Sequence, residues 1–277
     1  MSPPMRWFQR PGPPPPTMYR GAVLDLDGTV YRGRDPIPGA PEAIERLRER
    51  GLSLLFLSNN PTKSREAYVE RLSRMGIEVE ASEVLSAGTV TTRYLAEHHA
   101  ADTLFVVGSP GLLEQFDEAD LTVTDDPGAA DALVASYDHE FHYDDMTDAY
   151  RAVGDGGAFV GSDPDVVIPA ENGGMVPGSG AIVNACAGVL EREPDHVLGK
   201  PSPEAVEMAR EAMGVPLEEC LVVGDRLNTD LAFGERAGMT TVLVRTGVTD
   251  DRVLDESDVE PDVVLDSLAD IDAVLDG

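Results

Sequence analysis

Short apolar runs recur along this chain, and stretches patterned for amphipathic helices lie between them. The runs include Ala22-Val23-Leu24, Leu54-Leu55-Phe56-Leu57, Leu104-Phe105-Val106-Val107 and Leu133-Val134-Ala135-Ser136. Phe159-Val160, Leu221-Val222-Val223, Thr241-Val242-Leu243-Val244 and Val263-Val264-Leu265 follow. A strand that is apolar at every position needs cover on both faces, and helices that cross between parallel strands supply it. The fold class is therefore α/β, with a parallel sheet and crossover helices. Open sheets of this kind place ligands at the carboxyl tips of their strands.

Helix punctuation supports the alternation. Residues 40–50 read as a helix that Gly51 stops, and Ser64 can cap a second that runs to about Arg74 and ends at Gly76. From about Ser86 the strand–helix pattern restarts as a smaller α/β unit, which closes on the glycine-rich loop of residues 172–180. The first unit then resumes, with Ser202 as N-cap and Pro203 at the first helical position of a further helix. The expected organisation is a discontinuous core, 18–85 and 185–277, with an α/β insertion at 86–184 lying over the strand tips as a cap. Residues 1–17 are proline-rich. Proline lacks an amide donor, so this tail is expected to be disordered, with Met18 a candidate start of the folded protein.

The formal net charge of −30 excludes nucleic acid and anionic membrane as partners, because both would repel the surface. The acidic residues are spread along the chain, which suits a solvated coat. Self-repulsion on this scale is best tolerated where salt screens it within roughly 3 Å, as at 1 M, so a halophilic cytoplasmic protein is expected. No apolar run is long enough to span a membrane, and residues 1–18 lack the apolar segment of a signal peptide. Cys186 and Cys220 sit among apolar residues and read as buried free thiols.

The strand tips carry the chemistry. Asp25-Leu26-Asp27-Gly28-Thr29 closes the first strand, Ser58-Asn59-Asn60-Pro61 closes the second, Lys200 precedes a helix, and Gly224-Asp225 opens a segment that reaches Asn228 and Asp230. A phosphate monoester is dianionic and slow to hydrolyse. Asp25 suits a nucleophile that forms an aspartyl-phosphate, and Asp27 suits a general acid and then base. A hard divalent cation, Mg²⁺, would take the carboxylates of Asp25 and Asp225 and the backbone carbonyl of Asp27. Lys200 offers a compact positive charge to phosphoryl oxygens, in a chain whose only other lysine is Lys63. Ser58, with Thr29, Asn59 and Asn60, can bind the phosphate or substrate, and Asn228 and Asp230 can orient the metal ligands.

Asp-x-Asp-Gly-Thr, Ser-Asn-Asn, Gly-Lys-Pro-Ser-Pro and Gly-Asp-x-x-x-x-Asp, in this order, resemble the motifs of the haloacid dehalogenase superfamily, and most closely its NagD and p-nitrophenylphosphatase group. Tyr31-Arg32-Gly33 and Pro177-Gly178-Ser179-Gly180-Ala181 extend the resemblance, which covers about residues 20–270. It implies a Rossmann-like core with an inserted α/β cap of the C2 type, and a Mg²⁺-dependent phosphatase. By the same resemblance Asp25 is nucleophile, Asp27 acid/base, Ser58 and Lys200 phosphate ligands, and Asp225 a metal ligand. Superfamily dehalogenases lack the second aspartate, so Asp27 argues against carbon–halogen chemistry.

In the cap, Asp138, His139 and His142 follow a strand and are candidates for substrate selection, with residues 161–165 as a second candidate stretch. His98 and His99 read as a helix end and His196 as a loop residue. The expected substrates are small phosphorylated metabolites, such as sugar phosphates or phosphoglycolate-like acids, with p-nitrophenyl phosphate as an in vitro substrate. Two alternatives stand beside hydrolysis: a phosphotransferase or mutase using the same aspartyl-phosphate, and a silent metabolite-binding protein. A homodimer is left open.

Overall fold

A computed structural model describes residues 6–7, 18–170 and 174–276. They form two compact units. The first comprises the chain up to Ser58, Tyr68–Leu85 and the chain from Val206 onward, and the second comprises Asn59–Ala67 and Ser86–Ala205.

The first unit is built on a sheet whose five central strands are parallel, in the order Val263–Leu265, Thr240–Val244, Cys220–Gly224, Gly21–Leu24, Ser53–Ser58. Val84–Ser86 extends it at one edge, and Arg6–Trp7 pairs antiparallel with Val263 and Val264 at the other. Those two residues are all that is described of the proline-rich segment; the rest of the expected disordered tail lies outside the described residues. An edge is where a proline-flanked strand can pair without breaking a ladder.

Helices α1 (Ala40–Glu49) and α2 (Arg65–Arg74) belong to the crossovers on either side of Ser53–Ser58. Ile44, Leu47, Tyr68 and Leu72 join Leu24, Phe56, Leu221 and Val242 in one core. Each fully buried side chain of this size contributes about 1.5–3 kcal/mol. The caps fall as the sequence expects: Ser64 Oγ accepts the Ala67 amide at 3.3 Å, and Gly51 and Gly76 are left-handed, at φ +79° and +78°.

The second unit carries a fully parallel five-stranded sheet, in the order His196–Val197, Ala158–Gly161, Ala132–Ala135, Thr103–Val107, Thr122–Val123. Its helices include α3 (Ala87–His98), α4 (Pro110–Glu118), α5 (Tyr143–Val153) and α6 (Ser179–Leu190). The expected boundary at 184–185 falls inside α6. Ile182, Val183 and Cys186 of that helix pack with Leu133 and Phe159, so the unit continues past it. His196, expected in a loop, is in the edge strand, paired with Val160. Both cysteines are free and buried, and burial pushes each thiol up to about 12. Among the described residues no helix is long and apolar enough to cross a membrane.

Candidate active site

The order of strands in the first unit reverses around Gly21–Leu24, with Ser53–Ser58 on one side and Cys220–Gly224 on the other. A crevice therefore opens at the carboxyl ends of these strands. Leu24 is in register with both Phe56 and Val223, so Asp25, Ser58 and Asp225 all emerge at that end. The ladder continues into the site, since the Asp25 amide donates to the Val223 carbonyl at 2.9 Å.

After Asp25 the chain coils tightly. The amides of Val30 and Tyr31 both donate to the Leu26 carbonyl, at 2.9 and 3.1 Å, and the Gly28 amide donates to the Tyr31 carbonyl at 2.8 Å. Gly28 has φ +94°, and a β-carbon there would lie 2.6 Å from Asp225 Oδ2. Only glycine meets both requirements. This coil turns Thr29 inward. It is 0% exposed, and its hydroxyl has no hydrogen-bond partner among the described residues.

Asp225 ends the Cys220–Gly224 strand, and Asp230 closes the turn behind it. Asp230 Oδ2 accepts the amides of Asp225 and Arg226, at 3.1 and 3.0 Å. Asp25, Asp225 and Asp230 each bring a carboxylate oxygen within 4.8 Å of the others. All three are buried. Like charges this close repel strongly when ionised, and a cation removes that cost. The donors are all hard oxygens, the set that suits Mg²⁺ and not a thiophilic metal. Asn228, expected to support this cluster, is exposed, because the turn at residues 227–231 faces it outward.

Ser58 is 3% exposed, and its hydroxyl accepts from the Tyr68 hydroxyl at 3.3 Å. Burial raises the Tyr68 pKa, so it remains a donor through the neutral range. Tyr31 is buried nearby, with the Arg71 guanidinium 4.0 Å over its ring.

Asn59, Asn60 and Lys200 belong to the second unit. Lys200 is 2% exposed and precedes α7 (Pro203–Met213), whose first turn Ser202 caps through the Ala205 amide at 3.0 Å. The Asn59 side chain grips the Lys200 backbone, accepting its amide at 2.7 Å and donating to its carbonyl at 3.1 Å. That occupies the side chain expected to contact phosphate. Asn60 Oδ1 accepts the amide and the hydroxyl of Thr62, at 2.9 and 2.7 Å, and shapes the loop.

The cap candidates have local tasks. Asp138 accepts the Glu140 amide at 2.8 Å in a turn, His139 is exposed, and His142 is the N-cap of α5, with its amide bonded to Asp145. In the other candidate stretch, Ser162 donates to Asp163 at 3.0 Å and bonds Ser136 at 2.8 Å. Burial, with the Asp165 carboxylate beside it, pushes Asp163 up to about 7.

Four residues outside the motifs touch Asp225 or the coil beside it. Val248 donates its amide to Asp225 Oδ2 at 2.7 Å, the Thr249 hydroxyl donates to the Asp225 carbonyl at 2.6 Å, and the Thr246 hydroxyl donates to the Gly28 carbonyl at 2.6 Å. A β-carbon on Gly247 would fall 1.7 Å from Asp225 Oδ2. The signal for them was positional: they follow the strand beside Cys220–Gly224.

Known proteins align with this geometry. A family model described as haloacid dehalogenase-like hydrolase matches residues 22–122, and a second, HAD-hydrolase-like, matches residues 197–271. The chain is 34% identical over 256 residues to the sugar-phosphatase AraL of Bacillus subtilis, covering 92% of this chain and 93% of AraL. It superposes on a p-nitrophenyl phosphatase from Archaeoglobus fulgidus with a TM-score of 0.86 at 35% identity, covering 93% of this chain and 100% of that one. NagD from Escherichia coli K-12 gives 0.80 at 27% identity, covering 92% and 98%. The chain thus belongs to the haloacid dehalogenase-like hydrolase family, among the phosphatases that resemble NagD and p-nitrophenylphosphatase.

Proposed function

We propose that this phosphatase hydrolyses small phosphate monoesters, with sugar phosphates as the leading class, through a phosphoryl group carried on Asp25. The observation that carries the reading is the carboxylate cluster of Asp25, Asp225 and Asp230 at the switch point of the sheet. Relatives described as a sugar-phosphatase and as acid sugar phosphatases support the substrate class.

The proposed sequence needs two steps. An Asp25 carboxylate oxygen attacks phosphorus, and the bond from phosphorus to the ester oxygen breaks as Asp27 gives that oxygen a proton. Asp27 then takes a proton from a water whose oxygen attacks the same phosphorus, releasing inorganic phosphate and restoring Asp25. Ser58 donates to the phosphoryl oxygens, and the role that the order of the motifs gives Lys200 is to balance their charge. Asp25, Asp225 and the Asp27 carbonyl would hold Mg²⁺. When bound, the ion offsets phosphoryl and carboxylate charge. We place this chemistry in a salt-rich cytoplasm, on the net charge of −30 and the near absence of lysine.

The test is release of p-nitrophenol from p-nitrophenyl phosphate with Mg²⁺, followed by a panel of sugar phosphates. Turnover should vanish in EDTA and return with Mg²⁺. Turnover indifferent to chelation would refute the metal reading.

A further inference from the structure

We propose that residues 246–249, the loop after the Thr240–Val244 strand, are a positioning brace that holds Asp225 for a divalent cation; this rests on the metal reading above. The loop meets Asp225 on three sides. The Val248 amide fixes Oδ2 at 2.7 Å, the Thr249 hydroxyl fixes the backbone carbonyl at 2.6 Å, and Gly247 lies against the carboxylate where no side chain fits. An amide on one carboxylate oxygen stops rotation of the group, which sets the direction of the other oxygen. Such outer contacts orient metal ligands and raise affinity without touching the ion.

The brace also reaches the first motif. Thr246 donates to the Gly28 carbonyl at 2.6 Å, and Arg32 donates back to the Thr246 carbonyl. Gly28 itself is packed on Asp225 Oδ2. One loop thereby ties the coil that carries Asp27 to the strand tip that carries Asp225. A loop serving only as a connector would have no need of two short hydroxyl bonds and a glycine within contact of one carboxylate. Thr249 is 7% exposed, so its hydroxyl bond is made largely out of water, where a lost partner is costly.

The experiment is a Mg²⁺ titration of the full-length protein at fixed KCl, read by the thermal unfolding midpoint and, separately, by p-nitrophenyl phosphate turnover. Thr249→Val keeps the shape and removes the donor. The half-saturating Mg²⁺ should rise about 10–100-fold, with turnover recovering at saturating Mg²⁺, and Thr249→Ser should restore the wild-type value. Mere structural damage would lower the midpoint without Mg²⁺ and leave the half-saturation point in place, and that result would overturn the brace. Should Thr249→Val not fold, Thr246→Val, which is less buried, decides on the same criterion. Asp225→Asn separates the two claims. If it abolishes the Mg²⁺ response while the threonine variants bind normally, the brace alone fails. If it leaves the response intact, the metal reading fails and the brace with it.

Discussion

The side-chain amide of Asn59 pairs with both backbone groups of Lys200, at 2.7 Å to the amide and 3.1 Å to the carbonyl, across 141 positions of sequence. An amide side chain is the one group that offers donor and acceptor in this geometry. On the role proposed for Lys200, Asn59→Ala should displace it and lower kcat on p-nitrophenyl phosphate by about 100-fold, since small misplacements of catalytic groups cost that much. The Mg²⁺ requirement should be unchanged. A variant with wild-type kcat would show that the pairing does not matter to catalysis.

Gly28 and Gly51 give a matched comparison. Both are left-handed, at φ +94° and +79°, so alanine should cost each about 1–2 kcal/mol of backbone strain. Gly51 has nothing within 4 Å of its missing β-carbon, whereas Gly28 has Asp225 Oδ2 at 2.6 Å. Gly51→Ala should lower the melting temperature and keep turnover. Gly28→Ala should lose turnover as well. Equal turnover in the two variants would contradict the placement of Gly28 against Asp225.

The buried Asp163 makes stability depend on pH. Its folded pKa, about 7, lies above its ordinary value of 3.8, so between these the folded state binds a proton that the unfolded state does not. Its contribution therefore weakens as pH rises from about 4 to 7 and is level above that. Asp163→Asn should stabilise the protein at pH 8 relative to wild type and do much less at pH 4. Urea melts of both proteins at the two pH values would check this, and an equal difference at both would contradict it.

A net charge of −30 predicts a strong response to salt. The melting temperature should climb steadily from low KCl to 1 M, where screening falls to about 3 Å. A melting temperature independent of KCl would remove the case for a salt-rich setting.

The sheet and the two aspartate motifs were legible in the sequence because each depends on neighbours in the chain. Asp25 follows Leu24 out of a buried strand, and Ser202 with Pro203 announces the helix after Lys200. What was hidden depends on contacts between distant segments. Thr29 resembles a polar residue at a strand tip, yet the coil closed by Leu26, Gly28 and Tyr31 turns it into the core. Asn59 resembles a ligand for substrate, until Lys200, 141 positions later, takes both ends of its amide. Thr246, Gly247 and Thr249 lie in none of the four motifs, and their meaning comes from the Thr240–Val244 strand lying beside Cys220–Gly224. Similarly, α6 reads as a return to the first unit, but its apolar face packs on Leu133 and Phe159.

The most direct measurement concerns the covalent step. Asp27→Asn, incubated with p-nitrophenyl phosphate and Mg²⁺ and quenched in acid, should be slow to release the phosphoryl group and so accumulate it. Peptide mass spectrometry should then find one phosphoryl group on Asp25 and none in Asp25→Asn, which should also have lost turnover. Continued turnover by Asp25→Asn, or a phosphoryl group on another residue, would contradict the account.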